Sequence, residues 1–452
     1  MRNVPGPIFR TDSDVSTQRE ICTPMRTFKL YLLTLFSAFV SLSPASAINA
    51  QVRPRTAAAA GRVVYAERFP GADLGARINA ADKSLGASAG EIVARGGGRI
   101  ETQIIISSDH TLRLEAGTYA PVTEGIPILL KPRTSLVGAG WDRTIILEST
   151  AKDQFTVISA YNHSQRNGSA DSDLNVRELQ VKGANSGFNS APQAISLGNC
   201  SRCAVEKVWV NGTRSIGIQL GGSAQFGHFA DNSHVSGCLF TNVASQNLAL
   251  VNGRNITFEN NRFVNPGQPG GPGSTAIDLE PNNDDDHVEN VRIVNNLIDA
   301  RTHDIQAGNG ILVQSGSGTR FVGPIFIEGN TIYGGSNQGT ITNVLSNGIY
   351  VFGITMKDVT IRNNKVTRMG QSGLRLEGTH FTVLNNQFTD VGGGGTAGFY
   401  MGDVTNSRFE GNSFTYTGVG PAAANVQVVG QFKNNIVRNN TGIGPPFASN
   451  TP

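Results

Sequence analysis

Asp278-Leu279-Glu280 sets two carboxylates two residues apart inside the alternating stretch AIDLE, which begins at Ala276. On a strand both acids project from one face, while Ile277 and Leu279 project from the other. Two residues of strand separate their backbones by about 6.6 Å. That is close to the roughly 6.5 to 9.5 Å between carboxyl groups that admits a water beside a scissile bond in inverting glycoside hydrolysis. The charge of one acid raises the pKa of its neighbour, so one carboxyl stays protonated as general acid while the other, ionised, acts as base. The competing reading is two solvated acids decorating a strand.

Three more acids, Asp284, Asp285 and Asp286, follow in the next loop. They are a candidate calcium site, although they lack the alternating ligand spacing of a dedicated calcium loop. No cofactor is required by the hydrolytic reading, and Ca2+ is the one candidate. His303 is a candidate substrate contact. Its neighbour Asp304 would face the opposite way on a strand, which argues against a His-Asp relay.

The elements that must position these groups are repeats. An apolar pair, two small polar residues and another apolar residue recur around Asn261, Asn296, Asn330, Asn364, Asn386, Asn412 and Asn435. Between these copies lies a second phrase that alternates apolar with variable residues, as in GIQLG from Gly217, GIYVF from Gly348 and GLRLE from Gly373. Period-two alternation marks short strands, each with one face inward. Gly and Asn interrupt every few residues and β-branched residues recur, which excludes helices. The shortest repeat spacings are 22 to 26 residues. The reading is an all-β, single-stranded parallel β-helix whose coils bury their inward rows by stacking.

Successive strands stack about 4.8 Å apart, so the register can be read from the phrase. The outward column is Ser196, Gln219, Ala249, Asp278, Leu312, Tyr350, Arg375, Tyr400 and Gln427. Two residues further on lie Glu280, Gln314, Phe352 and Glu377. Tyr350, Phe352 and Tyr400 are candidate sugar platforms. Arg375, three coils or about 14 Å from Asp278, is a candidate clamp for a charged sugar, with Glu377 either sharing that role or neutralising it. Both catalytic candidates are expected to be exposed.

The 37 basic and 34 acidic residues give a net charge of +3, with no long basic run, so nucleic acid is not expected as a partner. Met25, Arg26 and Lys29 precede an apolar run from Leu30 to Leu42 that ends at Ala45-Ser46-Ala47. This is the pattern of a secretory signal cut after Ala47, and the run is too short for a membrane span. Secretion, the periplasm or the cell surface is the expected location, with no stable membrane insertion after cleavage. The expected division is an N-terminal extension and signal over 1–47, a linker over 48–67, the β-helix over 68–440 and a flexible tail over 441–452. A short helix over about 73–84 is expected to cap the first coil, and the tail offers no comparable cap. Cys200, Cys203 and Cys238 leave their pairing open.

ADLGARINAA at 72–81, GEIVARGGG at 90–98, LRLEAGTY at 112–119 and SLVGAGWDRTIIL at 135–147 resemble the opening of the pectate-lyase-like superfamily of right-handed parallel β-helices. That superfamily includes rhamnogalacturonase-like, epimerase-like and tailspike proteins. The resemblance implies a polysaccharide ligand but does not select the reaction. Three function classes follow: a glycoside hydrolase, a lyase or epimerase acting on a uronate polymer, and a non-catalytic carbohydrate-binding or structural β-helix. The paired acids favour hydrolysis, since the central columns hold no Lys and Arg375 is three coils from the acids.

Overall fold

The computed structural model describes residues 61–149, 156–166, 168–184, 193–266, 275–301, 308–315, 321–335, 345–353, 355–393, 396–418, 423 and 425–447. The expected signal segment and His303 lie outside them. Short strands recur in a fixed cycle along the chain and pair in parallel, each with its counterpart one coil away. They form three long parallel sheets of 18, 13 and 12 strands that wind around one apolar core. The alternating phrase supplies the 13-stranded sheet, here sheet 2.

The sheet 2 strands that matter below are β1 (Gln193–Leu197), β2 (Ile218–Leu220), β3 (Leu248–Leu250), β4 (Ile277–Leu279), β5 (Asn309–Gln314), β6 (Asn347–Phe352), β7 (Leu374–Thr379), β8 (Phe399–Thr405) and β9 (Val426–Val428). Their pairing matches the register read from the sequence, with Ala249, Asp278, Leu312, Tyr350, Arg375, Tyr400 and Gln427 in one column. The flanking Ile277, Leu279, Ile311, Val313, Ile349, Val351, Leu374 and Leu376 are all buried in the coil. The column is straight until β7, where two residues of β8 face Glu377 and the register shifts.

The paired small polar residues divide two tasks. The first, such as Asn260, Asn295, Asn363 or Asn385, takes a left-handed backbone with φ between 54° and 56° and turns the chain. The second stacks its amide on the next coil. Asn330 donates from Nδ2 to Oδ1 of Asn364 at 3.0 Å and accepts at Oδ1 from Nδ2 of Asn296 at 3.0 Å. The ladder ends at Asn440, which accepts from Asn412 at 2.9 Å, and not at Asn435 as the repeat spacing implied. Asn435 instead belongs to another turn, where its Oδ1 accepts from the Ser407 N–H.

Helix α1 (Leu74–Leu85) caps the first coil, burying Ile78, Ala81 and Leu85. Asp73 is its N-cap, accepting from Ala76, and it also accepts the N–H groups of Glu101 and Thr102. Burial pushes the Asp73 carboxyl up, but these donors prevail and hold it at about 2. The coil starts earlier than the expected boundary at 68, since Arg62–Tyr65 pairs in parallel with Gly90–Val93. The other end is also closed, contrary to expectation. Phe447, assigned to the tail by the sequence, is 2% exposed and packs edge-on to Phe409, its ring centroid 4.7 Å away.

Cys200 and Cys203 form a disulfide, and Cys238 is a buried free thiol whose pKa burial pushes up to about 12. No helix among the described residues is long and apolar enough to cross a membrane.

Candidate functional site

Asp278 and Glu280 leave β4 on the outer face of sheet 2, as their spacing predicts, but in unequal surroundings. Asp278 is 3% exposed, which corrects the expectation that both acids are solvated. It points out of the coil, yet its column neighbours are the 5% exposed Ala249 and Leu312, so it is flanked by side chains that offer no polar partner. Its Oδ1 is buried without a hydrogen-bond partner. Burial, followed by the adjacent Glu280 charge, raises its pKa well above the carboxylate range, and the Gln246 amide only partly opposes this.

Glu280 is half-buried. Burial raises its pKa too, hydrogen bonding from Gln314 and Gln246 only partly opposes the rise, and Gln246 Nε2 donates to Glu280 Oε2 at 3.3 Å. Both carboxyls are therefore shifted upward, Asp278 almost fully buried with one oxygen unpartnered and Glu280 half-buried with the Gln246 donor on its Oε2.

Further along the column Arg375 lies between two rings, its guanidinium carbon 4.4 Å from the Tyr350 centroid and 4.5 Å from that of Tyr400. Phe352 stacks on Tyr350 with centroids 4.6 Å apart. Among the described residues Arg375 makes no ion pair within 4.0 Å, so Glu377 does not neutralise it by direct contact. Burial raises the Tyr350 hydroxyl pKa, and the Arg375 charge opposes that rise. The result is an aromatic shelf with an embedded cation, on the same sheet as the acids.

The three loop acids do not converge. Asp286 is fully buried and accepts the N–H groups of Ala224, Asn282 and Asn283, so its oxygens hold the turn rather than a cation. Asp284 and Asp285 are exposed. No group of three metal-ligating side chains occurs among the described residues.

Sequence reasoning missed a polar cluster three rungs before the acids, on the same column. Ser196 Oγ lies 3.0 Å from His163 Nε2, and His163 Nδ1 lies 3.2 Å from His228 Nδ1. His163 sits on α2 (Tyr161–Gln165), whose first N–H groups donate to the buried Asp171. Glycines make the room, since a β-carbon on Gly198 would come within 2.1 Å of the His163 ring and one on Gly222 within 2.8 Å of His228. Burial, then His228 and Arg166, lower the His163 pKa to about 4. The connectivity is that of a nucleophile relay, but the third group is an imidazole rather than a carboxylate and the base is weakened. The cluster therefore reads as a structural clasp on the sheet. His163 and His228 are 65 residues apart, and only the small residues at 198 and 222 mark the place in the sequence.

Residues 169–343 and 338–450 match the family model described as the right-handed β-helix region. The chain belongs to this family. Within the β-helix fold, the mannuronan C-5 epimerase AlgE4 A-module of Azotobacter vinelandii is similar at 17% identity and a TM-score of 0.57, over 84% of this chain and 96% of that one. The tailspike protein of E. coli bacteriophage HK620, solved as a mutant with a pentasaccharide, is 14% identical with a TM-score of 0.55, over 84% of this chain and 65% of that one. An exopolygalacturonase from Thermotoga maritima is 11% identical with a TM-score of 0.53, over 81% and 92%. At these identities the shared property is the β-helix itself. No curated protein matches the chain in sequence.

Proposed function

We propose that the protein is an exported carbohydrate-active enzyme that hydrolyses a polysaccharide on the outer face of sheet 2, with Asp278 as general acid and Glu280 as general base. The observation that supports this most is the unequal burial of the two carboxylates on one strand. Asp278, its pKa raised by burial and by Glu280, has an unpartnered oxygen and is the acid assigned the proton in this reading. It gives its proton to the glycosidic oxygen as the bond to the anomeric carbon breaks. Glu280 takes a proton from the water whose oxygen bonds to that carbon from the opposite side.

The fold supports a sugar ligand by analogy, since the similar structures include one titled as an epimerase of mannuronan and one titled as an exopolygalacturonase. Tyr350, Phe352 and Tyr400 supply flat apolar faces for pyranose rings, and Arg375, in no ion pair among the described residues, favours an acidic sugar a few residues from the cleaved bond. The same cation supports a second reading, β-elimination or C5 epimerisation of a uronate, with Arg375 close to the reacting sugar.

Product analysis separates the readings. In a screen of acidic and neutral polysaccharides, hydrolysis releases reducing ends without ultraviolet absorbance from an unsaturated uronide. Both signals together mean elimination. A change in uronate stereochemistry without chain cleavage means epimerisation, and binding without any product leaves a carbohydrate-binding protein.

A further inference from the structure

The outer face of sheet 2 differs on the two sides of the acids. After them, Leu312, Tyr350, Arg375 and Tyr400 are partly exposed, so each rung offers surface to a ligand. Before them, Ser196, Gly198, Gly221, Ala249 and Val251 are buried and Gln219 is half-buried. The Gln219 amide is engaged at both ends, since Oε1 accepts from Gln193 Nε2 at 2.8 Å and Nε2 donates to the Gly221 carbonyl at 3.2 Å. Two segments stand on this covered side. Helix α2 lays the His163 ring over Ser196 and Gly198, and the turn over 223–228 lays His228 over Gly222. The two imidazoles meet edge-on with centroids 4.6 Å apart. Phe226 tilts on His228, and Arg166 at the end of α2 places its guanidinium carbon 5.3 Å from the Phe226 centroid. Buried carboxylates fix both segments, Asp171 accepting the N–H groups of Asn162 and His163 and Asp286 that of Ala224.

We infer that α2 and the 223–228 turn form an end wall to the groove, so that Asp278 and Glu280 act at the end of an acidic polysaccharide whose chain runs from them toward Arg375. This rests on the acid and base roles proposed above. Gln219, Ala249 and Asp278 occupy successive rungs, which sets the wall about 10 Å before the acids. Only a short piece of polymer fits between, and it becomes the product. A chain cut within its length has to continue over Gln219 and Ser196, where the His163, His228 and Phe226 rings stand. Those rings are held by mutual packing and by hydrogen bonds at both feet, so the closure is built into the fold before any ligand arrives. The wall touches no bond that is made or broken, and its effect is on where along the polymer the cut falls.

The test is digestion of polygalacturonate, a linear polyuronate, by the full chain, with products sized by anion-exchange chromatography. One short product is expected from the first time point, while the remaining polymer shortens slowly. A ladder of intermediate lengths at early times overturns the inference and leaves hydrolysis intact. One short product with an unsaturated end keeps attack at the chain end and removes the hydrolase reading. Replacing Ala224–Gly227 by two glycines lowers the wall without parting its flanks, because the His228 N–H already donates to the Ser223 carbonyl at 3.2 Å. Longer products are then expected beside the short one, and an unchanged profile in a folded variant overturns the assignment of the wall to this turn. If that variant does not fold, the wild-type profile decides, together with a readout that needs no turnover. In hydroxyl-radical footprinting of Glu280→Gln with an oligogalacturonide, Tyr350 and Tyr400 are expected to be protected while the exposed Phe226 keeps the reactivity it has in the free protein. Protection of Phe226 as deep as that of Tyr400, or none at Tyr350 and Tyr400, overturns the inference.

Discussion

Arg375 and Tyr350 occupy facing positions on β7 and β6, and the guanidinium lies 4.4 Å from the ring centroid, with Tyr400 closing the other side at 4.5 Å. A cation held by two π-faces keeps its charge for a ligand, because stacking orders it without neutralising it as a carboxylate would.

Arg375→Ala is accordingly expected to raise KM for a carboxylated polysaccharide about 10-fold with little change in kcat, and to leave any neutral substrate unaffected. Arg375→Lys should recover only part of the loss, since an ammonium stacks poorly between two rings. Steady-state kinetics at two ionic strengths check this, and the wild-type KM should rise with salt while that of the Ala variant does not.

Asp278 has a stability consequence of definite sign. Its pKa in the fold lies above the 3.8 of the free side chain, so the folded chain binds the extra proton and its stability falls as pH rises beyond about 4. Asp278→Asn removes that ionisation. The variant should be more stable than wild type at pH 7.5 and show little difference near pH 4. Thermal unfolding at the two pH values reads this out, and equal destabilisation at both would count against a strained acid.

At the His163 clasp the sign is reversed. His163 is held neutral with its pKa lowered to about 4, so its contribution to stability is present above 6.5 and is lost as pH falls toward 4. Asp171, raised to about 6 by burial, works against it, favouring the folded chain as pH falls through about 6 toward 3.8. His163→Gln should flatten the acid side of the stability profile, and Asp171→Asn should steepen it. Hydrogen exchange in α2 between pH 4.5 and 7 gives the local measurement.

Removing one rung of the buried ladder with Asn330→Ala leaves the Ile293 carbonyl and the amides of Asn296 and Asn364 short of partners. The expected cost is about 2 to 4 kcal/mol, measured by chemical denaturation.

The core of the fold was legible because period two is a local property. Ile277, Leu279, Ile349 and Val351 announce an inward row without reference to any other coil, and stacking then fixes the column that carries Asp278, Tyr350 and Arg375. The burial of Asp278 was not legible in the same way. It depends on Ala249 and Leu312, which no local rule brings together with it, and on Gln246 reaching across from the preceding turn. The clasp was hidden for a similar reason, since the sequence shows two glycines but not the rings that fill their space. Phe447 was misplaced because a segment rich in Gly and Pro reads as a tail, although one aromatic side chain is enough to close the end of the core.

The central claim, that Asp278 and Glu280 do acid and base work, is tested most directly by turnover of Asp278→Asn and Glu280→Gln on a polysaccharide that the wild type cleaves. Both changes keep the shape of the side chain and remove its ionisable group. Each is expected to lower kcat by at least about 10²-fold while sugar binding is retained, and the loss in Asp278→Asn should be smaller for substrates with a good leaving group, which need no protonation. Wild-type turnover in both variants would contradict the account.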